Sequence, residues 1–471
     1  DEICTVDFKI RSGTHFSDFF FYDPQGSLLP HTMVSSYTVT EQIAEFRQLA
    51  DYADYDHFQM ALPVKIPAFS YQVITYDIPK TVRNMENKEW KCSRMDAVRR
   101  DYTTMRTGTH TFANGKLIVE FLADGALSVT DLETGKKYEE LFLFEDDSEC
   151  GEGWNHRSAR YDEKVGTYGG NARISVLTDN ENIARVRVRH TMCLPQEAEG
   201  EFCRSRQEKE FVIDAVYTIA KNSKRIDCRA EICNNVRDHR LRVVFPTHSE
   251  AAEFYTAMPY GLQKWTEDKE DHSYDFEPYS PVVPGHGCLM MEDGKDMFSV
   301  YSKGLYEFEV AKRKDRAISL TLFRAIPKET FMLKSDMGQL QRKMRFEFAV
   351  DLERRPMAEA LRRSKAYQLR LLTCPAAGAG RELPKECSIV SVTGNAVFSS
   401  LRARGLLSAK PELRLYDAAG GSKGEVSFYK TLKKAVRVRM DGTVLGEAEV
   451  CGGKLQYELS DHEIGSWILE F

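Results

Sequence analysis

Long apolar runs are missing from this sequence. None approaches the roughly 20 residues that a membrane-crossing helix requires, so no membrane span is expected. Excess basic charge is missing as well: 65 Lys and Arg stand against 71 Asp and Glu, a formal charge of −6. That balance offers no attraction for nucleic acid or an anionic bilayer. The opening Asp1-Glu2-Ile3-Cys4 has neither a basic nor an apolar leader segment, so no signal peptide is visible. With no initiator Met at its head, the chain reads as a fragment or a processed product. The 11 cysteines include no CxxC pair, which argues against a zinc ribbon or a thioredoxin-like motif. Free, buried thiols in a reducing cytoplasm are the expectation, with Cys228 and Cys233 on opposite faces of one strand. The usual catalytic signatures are absent too: no GxSxG elbow, Walker loop, HExxH, or GxGxxG after a strand. The 11 histidines are dispersed without metal-site spacing. His239 and His286 read as surface or turn residues, with a catalytic acid as the alternative.

What is present is period-two alternation broken by turn residues. Asn114-Gly115 marks a tight turn, after which Leu117, Val119 and Phe121 face one way. Ala123-Asp124-Gly125 and Glu133-Thr134-Gly135 turn again, with Leu127 and Val129 between them. This predicts a meander of short antiparallel strands. The same grammar continues through Ile174–Leu177, Ala184–His190, Phe211–Ile219, Arg225–Ile232, Leu241–Phe245 and Ile318–Phe323. In Arg185-Val186-Arg187-Val188-Arg189 the arginines take one face and the valines the other, as on a half-solvated sheet. Helices are scarce. Thr40 to Tyr55 is read as a short helix, and Pro356 to Tyr367 as a firmer one with proline at its start.

At 471 residues the chain is too long for one ordinary domain. The expected units are a small β-domain over 1–80, a charged connector over 81–109, a large β-domain over 110–350, a helix and an Ala/Gly/Pro-rich linker over 351–384, and a last β-domain over 385–471. The middle unit is too large for a simple two-sheet sandwich; stacked sheets of a supersandwich fit better.

Carboxylates supply the most suggestive chemistry. Glu145, Asp146, Asp147 and Glu149 lead into Gly151-Glu152-Gly153-Trp154-Asn155. Acids that bond hydroxyls and a ring that packs on C–H faces suit a sugar. A solvated acidic turn with Trp154 tucked into the core is the other physical reading. Glycosidases work with two flanking carboxyl groups, but no pair can be picked from 71 acids by sequence alone.

Several of these segments resemble glycoside hydrolase family 38. Asn114–Lys136 is similar to the opening of that family's large C-terminal β-domain, and Leu141–Arg157 to its Gly-Asp-x-Tyr loop. Asn234–Pro246, Lys303–Val310, Leu320–Arg324, Val64–Tyr71 and His462–Trp467 resemble further family segments. The resemblance implies an all-β chain whose middle domain is a galactose mutarotase-like supersandwich, between a small β-sandwich and a small C-terminal β-domain. It implies a parent α-mannosidase that retains configuration, with zinc and an aspartate nucleophile in an N-terminal catalytic barrel. No counterpart of that barrel is found in this sequence, so no catalytic residue, metal ligand or cofactor is assigned to the chain itself. The expected partners are an α-mannoside, the catalytic domain, and further copies in a homo-oligomer; the expected location is cytoplasmic. Trp154 matches the family's sugar-facing tyrosine, and Glu152 the neighbouring acid. Lys312 or Arg313 lies nearest to a basic residue that approaches the pocket in some members. The sequence departs from the pattern at Glu152, Trp154 and Gln339. A stand-alone carbohydrate-binding module and an aldose epimerase, which needs a His/Glu acid–base pair facing one pocket, are the alternatives.

Overall fold

The computed structural model describes residues 2–12, 19–43, 51–77, 81–84, 89–92, 104–266, 272, 279–311, 315–329, 331–332, 334–369, 371–374, 383–403 and 410–471. Strands dominate them, and every pairing between the strands is antiparallel. The one α-helix among these residues is Met357–Gln368, with Pro356 at its N-cap, as the sequence predicts.

Near the N-terminus, Glu2–Arg11, Asp51–Val64 and Thr32–Ile43 form a three-stranded sheet, with Asp51–Val64 in the centre. Phe19, Phe21, Phe58, Met60, Leu62 and Val64 pack beneath it, with the Phe8 ring stacked on Phe58. The helix expected over Thr40–Tyr55 is not found: Thr40–Ile43 and Asp51–Tyr55 are strand, and 44–50 lie outside the described residues. Cross-strand chemistry overrides the helical reading. Thr40 Oγ1 bonds Asp54 at 2.6 Å and Thr38 Oγ1 bonds Asp56 at 2.7 Å, pairs that only an extended hairpin brings together. The expected connector contains a second hairpin, Thr81–Asn84 with Glu89–Cys92.

The meander appears as read, with strands Thr111–Ala113, Leu117–Phe121, Leu127–Asp131 and Lys137–Leu141. Gly125 shows why its turn needs glycine. Its φ is +87°, and a Cβ would stand 2.4 Å from His190 Cε1 and 2.6 Å from Val188 Cγ1.

Behind the meander lie a nine-stranded and a six-stranded sheet. Val186, Ile213, Tyr217 and Phe348 from the first meet Phe144, Leu241, Val243 and Leu320 from the second in one continuous core. Phe142 stands edge-on to both Tyr217 and Phe245, at 5.2 and 5.0 Å. This is the expected supersandwich. Arg187 and Arg189 face outward while Val186 and Val188 are buried. Cys228 is buried and Cys233 exposed, as their odd separation requires. Among the cysteines whose side chains are described, only Cys150, Cys228 and Cys288 are buried, which narrows the expectation of buried thiols.

A second core joins the supersandwich to the helix and the last β-unit. Ala257, Met290, Tyr301 and Ala349 meet Leu361 of the helix and Val397 and Tyr416 beyond it. The last β-unit packs a four-stranded against a five-stranded sheet around Leu413, Leu455 and Trp467. Strand Glu386–Ser388 pairs with Ser70–Gln72, tying the two ends of the chain together.

Candidate functional site

Alternation along Leu143–Ser148 decides where its acids go. Phe144, Asp146 and Ser148 point into the sandwich, while Glu145 and Asp147 line the outer face of the six-stranded sheet. There the neighbouring strands present Arg240, Arg242 and Arg324, and beyond them Glu307 and Glu309. The result is a ladder of acid–arginine–acid rungs. Arg240 grips Asp147 with Nε at 3.0 Å and Nη2 at 2.6 Å. Arg242 bonds Glu145 on one side and Glu309, at 2.6 Å, on the other. Burial alone would raise the Asp147 carboxyl. The bonds and charge of Arg240, with Arg242 and His156 nearby, instead hold it down at about 2. These acids are therefore neither a solvated turn nor sugar ligands, because buried arginines already occupy them.

The third rung supports the glycine-rich loop. Glu149, fully buried, accepts bonds from the backbone N–H of Gly151 at 2.8 Å and of Arg157 at 3.3 Å. Its other oxygen lies 2.8 Å from His156 Nδ1 and 2.7 Å from Arg324 Nε. Burial would raise this carboxyl too, but His156 and Arg324 keep it below its usual value. Arg324 then reaches onward: Nη2 donates to the Glu152 carbonyl at 2.6 Å and Nη1 to that of Gly153 at 3.5 Å. Gly151 is required by closeness, since a Cβ would come within 2.0 Å of the Asn155 carbonyl oxygen. Glu201 joins Lys328, at 2.9 Å, to Arg157, at 3.4 Å, and so ties the loop to both neighbouring segments.

Trp154 rides at the tip of this clamped loop, 80% exposed. The reading that tucks it into the core is thus overturned: the chain fixes the backbone on both sides of an indole whose surface stays mostly exposed. Glu152 is half-buried beside it. Lys312 and Arg313 lie outside the described residues. The basic residue that does meet the loop is Arg324, which sequence reasoning passed over because its partner Glu149 is 175 positions away.

One further expectation changes. His239 is neither a surface nor a turn residue: it is fully buried at the start of strand His239–Phe245, between Phe211 and Phe323. Its Nδ1 sits 2.5 Å from Asp146 and its Nε2 3.0 Å from Asn234 Oδ1. Asp146 also binds Arg204. His286 is exposed in its turn, as expected. Gln339, where the sequence departs from the family pattern, is buried and closes the turn before His239. It accepts the Asp238 N–H at 2.8 Å and donates to the Asp238 carboxylate at 2.6 Å. Among the described residues no three His, Cys, Asp or Glu side chains converge to hold a metal ion. Nor is any helix among them long and apolar enough to cross a membrane.

Residues 112–329, which contain the meander, the ladder and the Trp154 loop, match the family description "Glycosyl hydrolases family 38 C-terminal domain". That segment of the chain is similar to a family 38 C-terminal domain. A curated relative, "Putative mannosylglycerate hydrolase" of Halalkalibacterium halodurans, is 21% identical over 234 residues, which cover 46% of this chain and 25% of that protein. Two crystal structures from Enterococcus faecalis share the fold across 100% of this chain. One is an α-mannosidase of strain V583, with a TM-score of 0.83, 18% identity and 54% of its length covered. The other is a family 38 protein, with a TM-score of 0.81, 17% identity and 56% covered. The chain thus spans about half the length of these two solved proteins and a quarter of the curated relative.

Proposed function

We propose that this chain is the non-catalytic β-portion of a family 38 enzyme that hydrolyses α-mannosides, and that it presents Trp154 to the sugar as part of the active-site wall. One observation carries the reading: a largely exposed indole on a loop whose backbone is clamped from below by Glu149 and Arg324. A rigid aromatic face loses little entropy on stacking against a sugar. Glu152 is the neighbouring candidate for a hydroxyl contact, and Lys312 and Arg313 remain candidates at the pocket edge. The nucleophile and a zinc ion belong, in this reading, to a catalytic domain that supplies the other half of the relatives' length. The covered length of those relatives supports that division.

The epimerase reading finds little support. The Glu149–His156 pair has the needed chemistry, but Glu149 is buried and already held by Arg324.

The test is hydrolysis of an aryl α-mannoside. The chain alone is expected to give no turnover, and turnover is expected once the adjoining catalytic half is supplied. Metal-dependent hydrolysis by the chain alone would overturn the assignment. Trp154 fluorescence quenched by mannosides in the isolated chain would favour a free-standing binding module instead.

A further inference from the structure

Three segments distant in sequence meet beside Trp154, and each leaves an aromatic ring exposed. The Trp154 loop runs on to Tyr161, whose N–H donates to the Phe202 carbonyl at 2.9 Å and whose ring stands edge-on to Phe202 at 5.0 Å. Phe202 sits in the turn of the short hairpin that pairs Ala198–Glu199 with Cys203–Arg204. The third segment is a finger over 326–338. Its neck is closed by Ile326 N–H to the Gly338 carbonyl at 3.1 Å and Ser335 N–H to the Pro327 carbonyl at 2.8 Å. Nearer the tip, Glu329 and Met332 exchange backbone bonds at 2.9 Å. The finger starts just after Arg324 and lies against the Trp154 loop, since a Cβ on Gly153 would stand 3.0 Å from the Glu329 carboxylate. Lys328 and Arg157 meet on Glu201, at 2.9 and 3.4 Å, so all three segments share one junction. At the tip Phe331 is 97% exposed; Met332, Tyr161 and Phe202 are exposed as well.

Exposed apolar groups gathered in one place mark a binding surface, where single ones would not. The chemistry of this surface selects its ligand. The phenyl rings of Phe202 and Phe331 offer no hydrogen bond, so a second hydroxyl-rich sugar gains little from them. A carboxylate or phosphate gains less, because the nearby cations are engaged. Glu201 holds Arg157 and Lys328, Glu149 holds Arg324, and Arg160 lies over the Tyr161 ring at 5.6 Å. An apolar group, by contrast, is stabilised by every part of it that these rings take out of water.

We propose that the group linked to mannose in the substrate is apolar, an aryl or alkyl aglycone, and that Phe331 and Phe202 bind it while Trp154 holds the sugar. The proposal rests on the reading of Trp154 as part of the active-site wall. Its test compares kcat/KM for octyl and methyl α-mannoside, both below micelle-forming concentrations, in this chain joined to its catalytic half. The octyl mannoside is expected to be preferred by about tenfold or more. Phe331→Ala and Phe202→Ala are each expected to cut that preference by about threefold or more, with the unfolding midpoint unchanged because both rings are exposed. Trp154→Ala is expected to lower kcat/KM for both mannosides. A preference near one, or a preference that survives in either Phe variant, overturns the proposal even where Trp154→Ala impairs both mannosides and the wall reading stands. A lowered midpoint in Phe331→Ala with the preference intact would place the ring at a contact between the two halves and overturn it too. An unimpaired Trp154→Ala removes the wall reading, and this proposal with it.

Discussion

Asp146→Ala is expected to destabilise the supersandwich by about 3–5 kcal/mol, the cost of removing one partner from a buried ionic network. Asp146 is fully buried and receives both Arg204 and His239. Without it, among the described residues Arg204 keeps only Asp162 at 4.0 Å as a counter-charge and His239 Nδ1 loses its acceptor. Neither side chain can turn to water, because both are buried in the wild type. Urea unfolding followed by intrinsic fluorescence measures the loss. A cost below about 1 kcal/mol would mean the network is solvated and the burial argument wrong.

The second large effect is a loss of stability between pH 6.5 and 4 that belongs to His190. This residue points inward from strand Ile183–Pro195, with its ring against Phe144 at 5.3 Å and Nε2 without a hydrogen-bond partner among the described residues. Burial pushes its pKa down to about 4, opposed only by the backbone bond at Asp124 and the charge of that residue. The folded value lies below the unfolded one, so the fold favours the neutral ring. The stabilisation is complete above about pH 6.5, falls as pH drops, and is lost by about pH 4. Integrated over that window it amounts to about 3 kcal/mol. His190→Phe, which cannot take up a proton, is expected to remove most of the slope in this window. A further decline below about pH 4 is expected to remain, because Asp147 is held at about 2 and must be protonated there. An unchanged slope in His190→Phe would refute the assignment to this ring.

Elements built from neighbours in sequence were legible from the residues alone. The meander was readable because Gly115, Gly125 and Gly135 sit at its turns, all with positive φ, and its buried side chains alternate between them. The outward arginines of Ile183–Pro195 followed from the same period of two. What could not be read were contacts between distant strands. Glu145, Asp146, Asp147 and Glu149 looked like a loop's acids because the arginines that bury them come from strands as far as 175 positions later. His239 looked superficial for the same reason, its partner Asp146 being 93 positions back. The helix read over Thr40–Tyr55 failed where cross-strand Thr–Asp pairs outweighed local preference. For Trp154 the sequence left exposure and burial both open. The backbone clamp of Arg324 on the Glu152 and Gly153 carbonyls decides it, and no local pattern announces that clamp.

The central claim is that the clamped loop exists to hold an indole against sugar. Its most direct test is the steady-state hydrolysis of an aryl α-mannoside by this chain joined to its catalytic half, comparing wild type with Trp154→Ala. Because Trp154 is exposed and the clamp beneath it is made by other residues, the variant is expected to keep its unfolding midpoint. It is also expected to lose kcat/KM by about tenfold or more, at least about 1.4 kcal/mol of transition-state binding. Full activity in a folded Trp154→Ala enzyme would contradict the account.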